Sequence, residues 1–527
     1  MFSPTLAYRR TCLATIVLFL AICTTATAEE GWLQLNLRTR GRVSESGDQY
    51  RAVTTPARWK AKETAIVICD MWNDHYCRNA ARRVAEMAPR MNEVLKRARK
   101  QGVLIIHSPS GCMNRYADTP QRKLAQQAPA VNTKLPLQGW CHLNDKYEAA
   151  MPVNVDQPSD DDGTIRQAVR FFDRQIESLE IEKGDAITDS AEAFYLMKQR
   201  GIKNIIIMGV HTNMCVLGRP FGIRQMIYQG QNVVLMRDMT DTMYNPRNPP
   251  YVNHYTGNDL VFEHIERYWC PTVTSADILG EAPFRFPGDQ RKHLVVVMGE
   301  SLYDTSKTLP PFVMKHFGRY FKISYVYADA KRPNHFPGLE VLNDADLAIW
   351  SIRRRTMPQA ELGIVRDYLA AGKPLVALRT TSHAFSAGKS KAIADGLAEW
   401  PEFDRDILGG NYHGHHPNDA PTTARALKDA ADHPILAGIS PESFRVFGSL
   451  YKNAPLPTTA APLMMGSVPG SDEHQPIAWT HQRPNGGRVF YTSLGHPDSF
   501  AIADFQRLLH NAVYWAAGMP AAPLPPQ

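Results

Sequence analysis

The chain has 527 residues, more than one hydrophobic core normally supports, since single cores stop growing at about 250–300 residues. Its 44% hydrophobic and 21% charged residues are those of globular domains and exclude a disordered chain. The net charge of +7 includes no basic run interleaved with aromatic residues, so nucleic acid is not an expected partner.

Arg9 and Arg10, the apolar run Leu13–Cys23 and the small residues Ala26-Thr27-Ala28 read as a signal peptide over residues 1–28. The run is too short to span a bilayer as a mature helix, and no later segment could. A periplasmic or secreted protein without a stable membrane span is therefore expected. Cleavage leaves Cys69, Cys77, Cys112, Cys141, Cys215 and Cys270 of the eight cysteines. In an exported protein some should pair, with Cys77 and Cys112 the favoured couple.

Strand and helix signals alternate along the chain, which predicts an α/β protein of two three-layer α/β/α domains, each with a mostly parallel sheet. Thr64–Cys69 (TAIVIC) reads as a buried strand. Val84, Met87, Met91, Val94 and Ala98 follow at helical spacing, and Gly102 ends that helix. Val103–His107 is the next strand. Residues 110–175 lack periodicity and read as an insertion over a site. A helix near Ala191–Arg200, a strand at Asn204–Met208, a helix from about Cys215 and a strand at Asn232–Met236 complete a domain over residues 29–279. Residues 280–292 carry Pro, Gly and charge without periodicity and read as a linker. The second domain, 293–519, shows strands at His293–Met298, Lys322–Val326, Ala345–Trp350, Pro374–Leu378 and Arg488–Thr492. Helices near Gln359–Ala371 and Ser499–Ala517 flank them. Residues 520–527 form a Pro-rich tail.

Two strand ends carry chemistry in the first domain. Asp70 ends the strand in VICDMWND, and Cys215 follows the strand NIIIMG in GVHTNMCVLGRPFG. An acid and a thiol at the carboxyl ends of parallel strands can meet over one sheet edge, where the carboxylate can accept the thiol proton. A helix beginning at Cys215 would favour the thiolate. His107, at another strand end, reads more readily as a satisfied core histidine. Asp156, Asp160, Asp161 and Asp162 lack calcium-loop spacing and read as a solvated turn. The segment Arg237–Pro246 follows a strand and is placed to border the pocket.

Asp70 with Asn73 and Asp74, and Gly209, Thr212, Cys215 and Val216, resemble the isochorismatase-like cysteine hydrolases over about residues 60–275. The resemblance implies a three-layer fold, often assembled as a homo-oligomer. It also implies catalytic roles for Asp70 and Cys215, a cis peptide at Val210-His211 before Thr212, and an oxyanion hole of backbone N–H groups there. The hydrolytic members carry a catalytic Lys before the preceding helix. Here Gly184–Phe194 holds none, which leaves Lys183, just before it, and Lys134, in the insertion, as the candidate substitutes.

In the second half, RTTSHAF (Arg379–Phe385), GGNYHGHHP (Gly409–Pro417) and GGRVFYTSLGHPDSF (Gly486–Phe500) resemble the ThuA-like (trehalose utilisation) family over residues 293–519. That resemblance implies a fold of the class I glutamine-amidotransferase type. Where those relatives hold a nucleophilic Cys, this chain has Thr380, Thr381, Ser382 and His383, so glutamine hydrolysis is not expected. Thr381, Ser382, His383, His413 and His496 are the candidate pocket residues, with Trp350, Tyr412 and Tyr491 as aromatic faces. His413, His415 and His416 are dense, yet no carboxylate stands at ligand-like spacing; neither a metal nor a cofactor is expected. The expected partner is a small molecule, with carbohydrate suggested by the family.

The leading reading is an exported hydrolase acting on a small amide or related substrate through Cys215 and Asp70, fused to a domain handling a carbohydrate. The competing reading is a carbohydrate-binding protein whose hydrolase half is degenerate.

Overall fold

A computed structural model describes residues 31–45, 47–156, 171–388, 393–418 and 420–525. The leader over residues 1–28, Asp160, Asp161 and Asp162, and the last two residues of the tail lie outside them. Among the described residues no helix is long and apolar enough to cross a membrane.

The first sheet is built from β1 (Trp32–Arg42), β2 (Tyr50–Lys60), β3 (Thr64–Cys69), β4 (Leu104–Ser108), β5 (Ala186–Ile187), β6 (Asn204–Val210), β7 (Asn232–Asp241) and β8 (Thr272–Val273), in the order β2-β1-β8-β7-β6-β3-β4-β5. Strands β3 to β8 run parallel, and the β1–β2 hairpin adds antiparallel to β8. Every residue of β3 and β6 is buried, because both faces of these strands are covered by helices. Helix α1 (Arg78–Gln101) covers one face with Val84, Met87, Met91, Val94 and Ala98, and its chain turns back at Gly102 in the left-handed conformation. Helices α2 (Glu192–Gln199), α3 (Cys215–Gly218), α4 (Ile223–Tyr228) and α5 (His254–Tyr268) cover the other. The insertion is not wholly irregular, since Met113–Tyr116 and Pro120–Gln126 are short helices, the second capped by the Thr119 side chain.

The second sheet contains β9 (Lys292–Gly299), β10 (Phe321–Tyr327), β11 (Leu347–Ile352), β12 (Leu375–Leu378), β13 (Thr422–Ala426), β14 (Phe444–Val446), β15 (Ala460–Ser467), β16 (Gln475–Gln482) and β17 (Arg488–Thr492). Its order is β10-β9-β11-β12-β17-β16-β15-β13-β14. The first five of that order are parallel, and the remaining pairings are antiparallel. Helices α6 (Thr305–Phe317) and α8 (Ala503–Ala516) pack on one face, and α7 (Gln359–Ala370) on the other.

Gly280–Lys292 is no loose tether. Phe286 is buried in the first core, and the buried Arg291 guanidinium pairs with Asp259 and Asp289. Thr256 Oγ1 donates to the Gly318 carbonyl at 2.7 Å, so α5 touches the end of α6.

Candidate active site

Within the parallel part of each sheet the strand order reverses at one place, between β3 and β6 and again between β9 and β11. Loops leaving neighbouring strands in opposite directions open a crevice there, which is where open α/β sheets place ligands. Asp70 leaves β3 and Cys215 follows β6, so both stand at the first crevice. Gly209, with φ of 107°, pairs with Cys69, and a Cβ on it would run into the Cys69 carbonyl.

Asp70 is fully buried with φ of 48°, a conformation that turns its side chain over the sheet edge. Oδ1 accepts the Ser110 amide at 2.8 Å. Oδ2 receives Arg219 Nε at 3.2 Å and Nη2 at 3.1 Å. The Cys215 thiol lies beside the same carboxylate, and each shifts the proton affinity of the other. Burial raises the Asp70 pKa, while Arg219 and the Ser110 amide oppose that rise. Burial and the Asp70 charge push the Cys215 thiol far above its ordinary value, so the sulfur rests protonated. The expectation of a helix-stabilised thiolate is thereby corrected. Helix α3 is a single turn, stopped at Arg219-Pro220, and its field does not outweigh a buried carboxylate.

The loop between β6 and α3 is braced on all sides. The Val210–His211 peptide is cis, and the His211 amide points at the Cys215 sulfur. Thr212 donates its amide to the Asp241 carbonyl at 2.9 Å, and its hydroxyl meets that of Thr240 at 2.7 Å. Asn213 exchanges two hydrogen bonds with the backbone of Met243, each 3.0 Å. The segment Arg237–Pro246 thus supports the loop. Beneath it, the Asp241 carboxylate binds Arg83 at 2.7 Å and His254 at 2.9 Å, which hold it far below the usual carboxylate range despite burial. His211 is driven neutral by burial and by His75.

The insertion closes over the crevice. The Trp140 ring lies against Gly218, where a Cβ would meet it at 2.7 Å, and the Arg219 guanidinium lies 5.6 Å from that ring. Cys141 donates its amide to the Gly218 carbonyl at 2.7 Å. A cavity of about 10 Å3 beside Asp70, His75 and His211 is at the limit for one water molecule.

Neither candidate lysine reaches this place. Lys183 is exposed and precedes β5, at the amino edge of the sheet. Lys134 donates its amide to Gln229, and its side chain lies over Gly230 between α4 and β7. His107 is satisfied by Gln175 at 2.9 Å and Asp185 at 3.1 Å. Asn73 binds the backbone at Asp173 and Arg174, and Asp74 accepts the His75 amide. All six cysteines are buried, and Cys77 and Cys112 pack in separate apolar clusters rather than against each other, which overturns their pairing.

At the carboxyl edge of the second sheet, Arg379 follows β12 with φ of 42°. Its buried guanidinium donates to the Ser493 carbonyl at 2.7 Å and to Tyr303 Oη at 3.2 Å. It lies 4.3 Å from the Tyr303 ring and 4.8 Å from the Tyr451 ring. His383 stacks on Tyr412 at 4.7 Å, and Tyr412 meets Tyr451 at the same distance. His496 sits 5.9 Å from Tyr303. Two groups of rings, His383–Tyr412–Tyr451 and Tyr303–His496, are therefore bridged by the Arg379 guanidinium on one side of the sheet. Burial, and then Arg354, Arg353 and Arg379, lower the His383 pKa to about 3.

Residues 295–516 match the family described as ThuA, trehalose utilisation. The C-terminal half is thus similar to the ThuA family. A ThuA-like protein of Bacteroides uniformis is 18% identical over 45% of this chain and 95% of its own, with a TM-score of 0.33. A cysteine hydrolase of Pseudomonas syringae is 18% identical over 42% of this chain and 92% of its own, TM-score 0.28. N-carbamoylsarcosine amidase of Thermoplasma acidophilum is 12% identical over 41% and 99%, TM-score 0.23. No curated protein sequence matches the chain.

Within the ThuA-like domain the candidate residues divide. His383 and His496 share the ring-lined edge, and Ser382 Oγ meets His383 Nδ1 at 3.1 Å. Thr381 does not face it, because its hydroxyl donates to the Trp350 and Leu378 carbonyls between strands. His413 is exposed and bound to the Asn411 carbonyl, outside the ring groups. Trp350 and Tyr491 are fully buried core, and only Tyr412 of the three aromatic faces is partly open. Among the described residues no group of three His, Cys, Asp or Glu side chains is placed to hold a metal ion. Two residues escaped the sequence reading, Arg219 and Arg379. Arg219 had a usable signal: it stands four residues, one helical turn, after Cys215.

Proposed function

We propose that the first half is a cysteine hydrolase acting on a small amide or related substrate, with Cys215 as nucleophile, Asp70 as proton carrier and Arg219 as the cation that keeps Asp70 charged. The observation that carries this reading is the buried Asp70 carboxylate, paired with Arg219 and standing beside the Cys215 thiol at the carboxyl ends of neighbouring strands. A protonated thiol beside a buried carboxylate is a poised proton-transfer pair. In the reaction, the Cys215 proton passes to Asp70 as the sulfur bonds to the substrate carbonyl carbon. Asp70 returns the proton to the departing nitrogen as the C–N bond breaks. Water then cleaves the thioester, Asp70 taking one water proton and restoring it to the sulfur. The His211 amide, directed at the sulfur, is suited to the oxyanion that forms beside it.

The second half of the proposal is a carbohydrate ligand for the ThuA-like domain, held against Tyr412 and Tyr303 with His383 and His496 as hydrogen-bonding groups. Stacked rings next to polar side chains suit the mixed faces of a sugar. Export, proposed from Arg9, Arg10, Leu13–Cys23 and Ala26–Ala28, would place both activities outside the cytoplasm.

The hydrolase reading is tested by incubating the full chain with small primary amides and following ammonia release and acyl adducts by mass spectrometry. An adduct on Cys215, absent in Cys215→Ser, is expected. No adduct and no ammonia across the panel would favour the degenerate half. The carbohydrate reading is tested by calorimetry with neutral sugars, where heats should vanish in His383→Ala.

A further inference from the structure

The reversal of strand order between β9 and β11 opens the ThuA-like domain's own crevice, and a cavity of about 370 Å3 occupies it. Ser301, after β9, lines one side, and Arg353, Arg354, Arg355 and Thr356, after β11, line the other. That volume is within the range of small-ligand sites, about 300–1,000 Å3.

The charge in this cavity is unbalanced. Among the described residues, Arg353, Arg354, Arg355 and the nearby Arg379 form no ion pair with a carboxylate. The one acid close to Arg355 is Glu300, whose two oxygens already receive the amides of Leu302, Tyr303 and Thr305 and the Thr305 hydroxyl. The arginines are held in place by backbone. Arg355 Nε donates to the Gly299 carbonyl at 2.8 Å, and the Arg354 amide donates to the His383 carbonyl at 3.1 Å. Arg354 takes φ of 48°, and its guanidinium packs over Gly388. Arg379 Nε is buried without a hydrogen-bond partner. Gathering like charges in a partly desolvated cleft is unfavourable unless a counter-charge arrives, and planar guanidinium groups suit oxyanions. The Arg354 backbone bond to His383 joins this cavity to the ring-lined edge.

We propose that the ThuA-like domain binds a polyol bearing an oxyanion, a carboxylate or a phosphate, with the anionic group on Arg353 and Arg354 and the hydroxyl-bearing part reaching toward His383 and Tyr412. This rests on the carbohydrate reading above and adds the charge of the ligand to it. Carboxylate and phosphate share the chemistry the arginines recognise.

The test is calorimetry on the full chain with glucuronate, glucose 6-phosphate, glucose and inorganic phosphate. At least tenfold tighter binding of glucuronate or glucose 6-phosphate than of glucose is expected, and comparison of those two identifies the oxyanion. The preference should disappear in Arg354→Asn, chosen because Asn tolerates the left-handed backbone at this exposed position, and weaken in Arg353→Gln. Equal binding of glucose and glucuronate would overturn the anionic ligand while leaving a sugar pocket. Phosphate binding as tightly as glucose 6-phosphate would instead overturn the sugar reading. No binding by any of the four would end both.

Discussion

Arg219 and Asp70 form a two-pronged ion pair, Nε and Nη2 both within 3.2 Å of Oδ2, one turn beyond the Cys215 thiol that stands beside the same carboxylate. The carboxylate is fully buried, so its charge depends on this partner. Removing Arg219 removes the strongest influence that lowers the Asp70 pKa and leaves burial unopposed by a cation. In Arg219→Ala, Asp70 should therefore hold its own proton and accept none from Cys215. Amide turnover should fall by about 10²–10⁴, the usual span for losing general-base assistance. Its acid limb should move to higher pH. Arg219→Lys, which keeps one charge but not the fork, should recover part of the rate. A variant with wild-type rate and pH profile would make the pair structural only.

The Asp70 charge raises the Cys215 pKa, whereas Arg219 lowers it. Asp70→Asn deletes the first influence and keeps the second, so the thiol pKa should fall. Iodoacetamide should label Cys215 faster in this variant at neutral pH, even though turnover is lost. Slower labelling would mean that Asp70 assists alkylation as it does catalysis. In the unsubstituted protein Cys215 is the most exposed of the six cysteines, at 8%, and should label first.

The first crevice was legible in sequence because it sits at the ends of two continuous apolar runs. TAIVIC and NIIIMG can only be buried strands, and the residues after them must emerge at the sheet edge. The hairpin β1–β2 carried a weaker signal. Leu33, Leu35 and Leu37 alternate with polar residues, but β2 is largely exposed and contains Pro56, which a free edge tolerates. The antiparallel strands β13 to β16 were missed for a similar reason: β13 and β14 are short, and β15 is broken by a register shift after Pro462. Arg379 was not found because the groups it binds are distant in sequence, the Ser493 carbonyl lying 114 residues away, and the Asp70 partner of Arg219 lies 149 residues away, so only its place one turn after Cys215 was visible.

His383 should govern the acid tolerance of the ThuA-like domain. Its folded pKa of about 3 lies below the ordinary histidine value of 6.5, so the unfolded chain binds the proton more readily. The resulting stability is present above about pH 6.5 and is lost as pH falls toward 3. His293 and His316, both lowered to about 4 chiefly by burial, act in the same direction. Replacing His383 with Gln should flatten the decline between pH 6 and 4 by on the order of 1–3 kcal/mol. Urea titrations at those two pH values measure this, and parallel declines for variant and parent would refute it.

Glu148 fixes the insertion that covers Asp70 and Cys215. Its carboxylate is fully buried and takes Arg224 Nε at 2.7 Å, His264 Nε2 at 2.9 Å and Trp269 Nε1 at 2.8 Å. Burial raises its pKa, yet these partners prevail and bring it down to about 2. A depressed carboxylate contributes stability above its unfolded pKa, here 4.5, and loses it as pH falls toward 2. The stake is on the order of 3 kcal/mol. Arg224 also donates to the Cys141 carbonyl at 3.2 Å, and Cys141 adjoins the Trp140 ring packed on Gly218. Loss of the Glu148 charge therefore acts at the crevice as well as on stability. Glu148→Gln should cost about 3–5 kcal/mol, because it strands the buried Arg224 guanidinium. It should also speed alkylation of both Cys141 and Cys215 at neutral pH, as Trp140 loses its anchor. If the variant is destabilised but the two thiols label at the parent rate, the insertion is held over the crevice by Trp140 itself rather than by Glu148.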